Sequence, residues 1–405
     1  MVTGIKKDIQ MYLKVVEGFK AVKLCKVRRT ITILLALLLC GVNISAQEVV
    51  GRLPQGWQPQ TSYPLAWSGE GDFEEWKREA RAKIVELMGI APEAPTTTSY
   101  RTLASEKREG YTAHKIAFEV SKNNEVVAYL LIPEGEGPFP ALLALHDHGA
   151  KFSIGKEKLV RPIAESPEVV SEAEEWSRKC YDGVFTGDWF AQQGYVVLAT
   201  DALLWGNRGE GTDGRQTRYD TQQALASNCL KLGTTLVGII TWDDIRSVDF
   251  LASQEFVDAE RIGVYGHSMG GHRAWMVAAL SERVAAAASI CWMATSEALL
   301  ASGNNELKGG SAFTMQIPFV SRWLDNPDIA SLICPRAALF INGSEDKLFP
   351  AGVEEAFEKM RWVWHSQGVS SNIHCHLYPS PHYFGVEMQE MVREFFANSL
   401  TCSGK

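Results

Sequence analysis

With 405 residues, of which 46% are hydrophobic and 22% charged, the chain has ample apolar material for a large core, and disorder is excluded as its dominant state. The formal net charge of −8, with no dense Lys/Arg run beyond the N-terminal region, argues against a nucleic-acid partner. The length would allow two domains, but α/β folds of about 250 residues or more commonly form one unit, so one catalytic domain plus an extension is expected.

The N-terminus comes first and reads as an address. Lys23, Lys26, Arg28 and Arg29 precede an apolar run from Ile31 to Cys40, and Ser45-Ala46 offers the small residues at which a signal peptidase cuts. The run is short for a bilayer span. A buried core helix would have to follow a basic cluster and end at a small-residue site, so residues 1–46 are read as a cleavable signal peptide and the mature chain as periplasmic or secreted, without an integral membrane span. The basic segment is long, which is consistent with translation starting at Met11. Cys40 follows Leu37-Leu38-Leu39, whereas a lipidated cysteine has a small residue directly before it, so a lipid anchor is not favoured. Removal of Cys25 and Cys40 leaves Cys180, Cys229, Cys291, Cys334, Cys375 and Cys402, with no metal-type C-x-x-C spacing. Most sit among apolar residues, as small buried hydrophobes do.

Residues 47–100 form an N-terminal extension. Its first part, to about Ser68, is rich in Pro, Gln, Gly and Trp without a period. A cover helix follows: Asp72 caps it, Glu75 completes a capping box, Phe73, Trp76, Ala80, Ile84 and Leu87 recur at spacings of three and four, and Gly89 ends it. The Pro/Thr cluster from Ala91 to Thr98 reads as a connector to the catalytic domain, 101–405. There, β-rich stretches at Tyr111 to Val120 and Val126 to Ile132 predict a hairpin-like opening to a sheet. Apolar runs then alternate with helical stretches: Ala141 to Leu145, Tyr195 to Thr200, Ile262 to Tyr265, Ala285 to Ile290, Ala337 to Ile341 and Ile373 to Leu377. Strands with so little polar alternation predict an α/β fold whose mostly parallel sheet is covered by helices on both faces.

The chemistry centres on Gly266-His267-Ser268-Met269-Gly270, between an apolar run and a small, apolar stretch. A strand, tight turn and helix in that order push a serine hydroxyl clear of the backbone, and the flanking glycines avoid a collision. An ordinary glycine-rich turn would carry the same five residues, so the rest of the chain decides. A nucleophilic Ser268 needs a base and a carboxylate to orient it. Asp346 follows an apolar strand, with Glu345 as its rival. His382 lies after the last strand and before the closing helix; His374 and His376 compete, but alternate with Cys375 on one face of a strand. The order serine, acid, histidine suits this fold type. The backbone N–H of Met269 and one from Leu145-His146-Asp147-His148-Gly149-Ala150, with His148 as candidate, would form an oxyanion hole. Metal binding by His146, Asp147 and His148 is the competing reading, but H-x-H without a third ligand is a poor signature, and no metal is assigned.

These residues resemble the α/β-hydrolase superfamily, and more narrowly its bacterial acetyl-xylan-esterase-like and dienelactone-hydrolase-like branch. The likeness is carried by Leu145 to Gly149, Gly155-Lys156-Glu157-Lys158, Gly194 to Asp201, Arg261 to Gly271, Asn342-Gly343 to Pro350 and His382 to Phe384. It implies an α/β-hydrolase fold with Ser268 as nucleophile, Asp346 as acid, His382 as base and Met269 as oxyanion donor, and no cofactor. The long segment from Lys151 to Asp188 is expected to cover the site. Trp205 and Trp292, with Trp323, are candidates for a sugar platform, against the commoner role of tryptophan as core. The expected activity is a serine carboxylesterase acting through an acyl-enzyme, deacetylating plant polysaccharide or its oligosaccharides. The alternatives are a prolyl-oligopeptidase-type peptidase, for whose β-propeller too few residues precede the first strands, and a non-catalytic binding protein on a hydrolase scaffold.

Overall fold

The computed structural model describes residues 61–401 apart from 212–213, 302–303 and 305–312. The expected signal peptide, Met11, Cys25, Cys40 and Cys402 lie outside the described residues. All described residues fall within one unit, Gln60–Lys405.

The chain enters through helix α1, Phe73–Met88, capped by the Asp72 carboxylate, which accepts from Glu75 N–H at 3.0 Å. Glu75 does not close a capping box: its carboxylate is taken by Arg78 at 2.8 Å. Trp76, Ala80, Ile84 and Met88 are the buried face, and Arg81 on its flank donates to the carbonyls of Ala279 and Leu332. Gly89 ends the helix at φ 85°, a conformation glycine adopts without strain.

A nine-stranded sheet follows: β1 Tyr100–Arg108, β2 Tyr111–Ser121, β3 Asn124–Pro133, β4 Phe139–Leu145, β5 Val196–Thr200, β6 Val257–His267, β7 Ala286–Ile290, β8 Ala337–Gly343 and β9 Ile373–Tyr378, in the spatial order 1-2-3-5-4-6-7-8-9. Strands β1, β2, β3 and β5 pair antiparallel; from β5 onward every pair is parallel. Each apolar run expected to be a strand is one. β1 is the strand that sequence reading missed, because it is an exposed edge whose Arg, Lys and Glu residues hide any alternation.

Successive strand residues feed opposite faces. Leu143, Leu145, Ile262 and Val264 join one core with α1, α5 (Leu236–Ala252), α6 (Met269–Leu280) and α9 (Val353–Ser366). Leu142, Ala144 and Tyr265 join the other with α3 (Thr186–Gln192) and α10 (Val386–Ser399). The remaining helices are α2 Pro167–Cys180, α4 Tyr219–Lys231, α7 Ser296–Leu300 and α8 Asn326–Ala330. Two-sided burial is why the parallel strands inside the sheet show no polar alternation, whereas the edge strand β9 alternates buried Ile373 and Cys375 with exposed His374 and His376. It also leaves the loops after β4, β6, β7, β8 and β9 at the carboxyl edge of the sheet, where ligands of open α/β sheets bind.

Candidate active site

At the end of β6, Ser268 adopts φ 58° and ψ −122°, a backbone conformation that side-chain-bearing residues seldom hold. Its N–H donates to the Ile290 carbonyl at 2.7 Å, and its carbonyl accepts from His272 N–H at 3.0 Å, one turn into α6. A β-carbon on Gly266 would lie 2.4 Å from the Gly270 carbonyl carbon, and one on Gly270 would lie 1.9 Å from the Leu145 oxygen. The two glycines therefore let the start of α6 sit directly on the end of β4. That contact sets the Met269 N–H, which opens the helix and has no intrahelical acceptor, beside the loop after β4.

Two loops away, His382 Nδ1 donates to Asp346 Oδ2 at 2.6 Å, and Leu348 N–H donates to Asp346 Oδ1 at 2.9 Å. The Asp346 side chain is fully buried, while that of His382 is 24% exposed, so the ring reaches solvent on a buried anchor. The imidazole packs on His267, the residue before Ser268, with ring centres 4.8 Å apart, and stacks with Phe349 at 6.3 Å. The rivals fall away: Glu345 is exposed, and His374 and His376 are exposed on the edge strand β9. Ser268 is half-buried, and the hydrogen bonds of the described residues include none between it and His382. Catalytic contacts of this kind are often long without substrate and tighten when it binds.

The loop after β4 is held by buried charge. Lys158 Nζ donates to the carbonyls of Asp147 at 2.8 Å and His148 at 3.1 Å and reaches Asp147 Oδ1 at 3.3 Å. Asp147 Oδ2 accepts from Tyr181 Oη at 2.6 Å and Trp176 Nε1 at 3.0 Å. Burial alone would raise the Asp147 carboxyl, but the Lys158 ammonium, with these donors, holds it well below the usual carboxylate range. Because the Asp147 carbonyl turns to Lys158, the trans peptide points the His148 N–H the other way. Beneath it, Lys156 Nζ bridges Glu157 at 2.8 Å, Asp201 at 2.9 Å and Asn207 at 2.6 Å, and Arg215 adds bonds to Glu157 and Glu165 at 3.0 Å. The Gly155-Lys156-Glu157-Lys158 segment is thus the brace of the loop. Replacing Lys158 by Met would leave a buried carboxylate without its cation, and a loss of about 3–5 kcal/mol is expected; denaturant unfolding with an unchanged slope checks it.

His146 and His148 are committed to the protein. His146 Nε2 accepts from Ala202 N–H at 3.0 Å, and His148 Nδ1 from Ala150 N–H at 3.0 Å. Burial pushes the His148 imidazole down to about 4, so it is neutral at pH 7. The segment from Lys151 to Asp188 braces the loop after β4. Its Tyr181 holds Asp147, its Cys180 carbonyl accepts from Phe384 N–H at 3.1 Å, and its Asp182 binds the Tyr383 hydroxyl and Val386 N–H, so it ties the loop after β4 to the His382 loop.

Of the tryptophans, Trp205 is corrected. It is fully buried, and its ring N–H donates to the His148 carbonyl at 3.1 Å, so it supports the loop from within and offers no face to a sugar. Trp323 lies under the Lys83 ammonium at 4.4 Å. Trp292, expected with Trp205, is also buried at 3% exposed and presents no open platform; it stands two residues beyond the Ile290 carbonyl that Ser268 uses and packs on Phe349 with ring centres 5.6 Å apart. The five described cysteines are free.

Residues 39–380 match the family model described as Abhydrolase family. The chain belongs to this family. It is 28% identical over 296 residues to the "Putative hydrolase YtaP" of Bacillus subtilis (strain 168), a match covering 73% of this chain and 90% of that one. Its fold is similar to that of the "putative acetyl xylan esterase" of Bacteroides fragilis NCTC 9343, with a TM-score of 0.63, 20% identity and 78% and 79% of the two chains covered. It is similar also to a glucuronoyl esterase from Solibacter usitatus, with a TM-score of 0.59, 16% identity and 86% and 100% covered. This hydrolase thus has the α/β-hydrolase fold expected from its elbow. Among the described residues no helix is long and apolar enough to cross a membrane.

Lys158, Tyr181 and Trp176, which hold the loop, were not assigned roles by sequence reading. All three lie in the long Lys151 to Asp188 segment, and Lys158 also ends the Gly155 to Lys158 stretch.

Proposed function

We propose that this hydrolase is an exported serine carboxylesterase that removes acetyl groups from plant polysaccharide or its oligosaccharides. The observation that carries the reading is the 2.6 Å bond from His382 to buried Asp346, with the imidazole packed against the residue that precedes Ser268 in its strained turn. The His382–Asp346 bond leaves Nε2 as the nitrogen that accepts the Ser268 proton. Ser268 Oγ attacks the ester carbonyl, and its proton passes to Nε2; the tetrahedral oxyanion is held by the N–H groups of Met269 and His148. Collapse breaks the carbon–oxygen bond to the sugar, whose oxygen takes the proton from His382. Water then attacks the acyl-enzyme with His382 as base, releasing acetate and restoring Ser268. No step calls for a cofactor. The acetyl-polysaccharide reading is supported by the acetyl xylan esterase named among the similar folds and by the sequence signs of export. Acetate release from acetylated xylan by the chain from Gln47 onward tests it. Release of acetate is expected; hydrolysis of a small aryl acetate without any release from xylan would move the substrate to another ester.

A further inference from the structure

Next to the base lie two metal-ligating side chains that the reaction does not use. His267 ends β6, and its register partner on β7 is Ile290, the residue before Cys291, so the parallel pairing sets His267 and Cys291 side by side at the carboxyl edge of the sheet. The loop after β9 then brings His382 against them. One ring nitrogen of each histidine and the Cys291 Sγ all lie within 4.8 Å of one another, so it is the donor atoms themselves that converge. His267 has nothing else to bind: neither of its ring nitrogens has a hydrogen-bond partner among the described residues. Burial pushes its imidazole down to about 3, so at pH 7 it is neutral. A neutral imidazole keeps one lone pair in either tautomer, and with both nitrogens unpaired His267 can present that lone pair from either without breaking a bond. The Cys291 thiol is fully buried and spends only a 3.5 Å contact on the Tyr383 carbonyl.

Two imidazoles and a thiol are ligands that zinc takes, and three protein ligands leave its fourth tetrahedral position to water. Drawing the donors in to the ~3.5 Å separations that zinc bond lengths set takes shifts of about one ångström. Charge is balanced as well: a coordinated thiol gives up its proton to water, and the thiolate together with the Asp346 carboxylate, 2.6 Å from His382 Nδ1, offsets the two charges of the ion. Entry is through His382, the member of the three that reaches solvent.

We propose that His267, Cys291 and His382 form an inhibitory zinc site, in which the ion takes a ring nitrogen of the base and stops turnover. At Nε2 it occupies the lone pair that accepts the Ser268 proton; at Nδ1 it displaces the proton bonded to Asp346. Either way the base is lost. The inhibition rests on the reading of His382 as the base of an esterase, whereas the binding does not.

The test adds zinc chloride to metal-free wild type, Cys291→Ser and Cys291→Ala proteins turning over 4-nitrophenyl acetate, and titrates Co2+ into the same proteins while recording the near-ultraviolet charge-transfer band of a thiolate on cobalt. Serine keeps most of the side-chain volume and alanine keeps the β-carbon, so misfolding of one variant does not decide the outcome. Zinc is expected to inhibit the wild type reversibly, with EDTA restoring activity, and half-inhibition of either variant is expected to need at least about a hundredfold more zinc, the most that losing even an outer-shell partner costs. Without metal both variants turn over near the wild-type rate, because Cys291 takes no part in the reaction. The cobalt band is expected in the wild type and absent from both variants. An uninhibited or zinc-activated wild type, equal zinc sensitivity in all three proteins, as binding at the exposed His374 and His376 would give, or a cobalt band that survives in the variants would overturn the site. If the metal-free wild type cleaves no aryl ester, the esterase reading fails, and the cobalt band alone decides: present in the wild type and lost in the variants it supports the metal site, and absent from the wild type it refutes it.

Discussion

Ser268→Ala is expected to lower kcat by up to about a millionfold while leaving the fold and KM little changed. The serine is half-buried at a turn whose geometry is set by backbone bonds, Ser268 N–H to Ile290 and His272 N–H to Ser268, neither of which uses the hydroxyl. Alanine keeps the β-carbon that the φ of 58° already accommodates, so removing Oγ costs no packing. What goes is the nucleophile. Residual turnover over water would come from the N–H groups of Met269 and His148, which the substitution leaves in place. Steady-state rates on an aryl acetate, with a melting curve to confirm the fold, measure the effect; near-normal turnover would refute the assignment.

Asp346→Asn is expected to cost about ten-thousandfold in kcat with a folded protein. The two carboxylate oxygens have different donors, Leu348 N–H at 2.9 Å and His382 Nδ1 at 2.6 Å. Asparagine can satisfy the Leu348 N–H with its oxygen only by turning its NH2 group toward His382. That group donates, so Nδ1 must accept, and the ring proton moves to Nε2, where it blocks acceptance from Ser268. The imidazole thus stays in place in the wrong tautomer, which separates this variant from one that merely unfolds. Rates and melting curves together check the split, and a variant retaining a tenth or more of the activity would make Glu345 or another carboxylate the orienting group.

The parts of this site that could be read from the chain are those written in local chemistry. The elbow needs glycine at 266 and 270 because backbone would collide there, and the acid and base stand directly after apolar strands, so strand, turn and residue type announce them together. The inner parallel strands were legible because burial on both faces makes them continuous apolar runs. What was not legible depends on partners far along the chain. Lys158 becomes a brace only because β4 brings Asp147 and His148 to it, and Lys156 finds Asp201 across 45 residues of sequence. Trp205 and Trp292 look alike in sequence; one spends its N–H on the His148 carbonyl in the core, and the other stands beside a cavity. β1 escaped because a solvated edge strand keeps its charges and shows no apolar period.

The central claim is that Ser268 is a nucleophile activated by His382 and Asp346. A fluorophosphonate reacts with such a serine and not with an ordinary hydroxyl, so the most direct measurement is peptide mass analysis after labelling of the wild type, Asp346→Asn and Ser268→Ala proteins. One adduct on the peptide holding Ser268, slowed strongly in Asp346→Asn and absent in Ser268→Ala, is the expected result. An unlabelled wild type, or an adduct on a different serine, would contradict it.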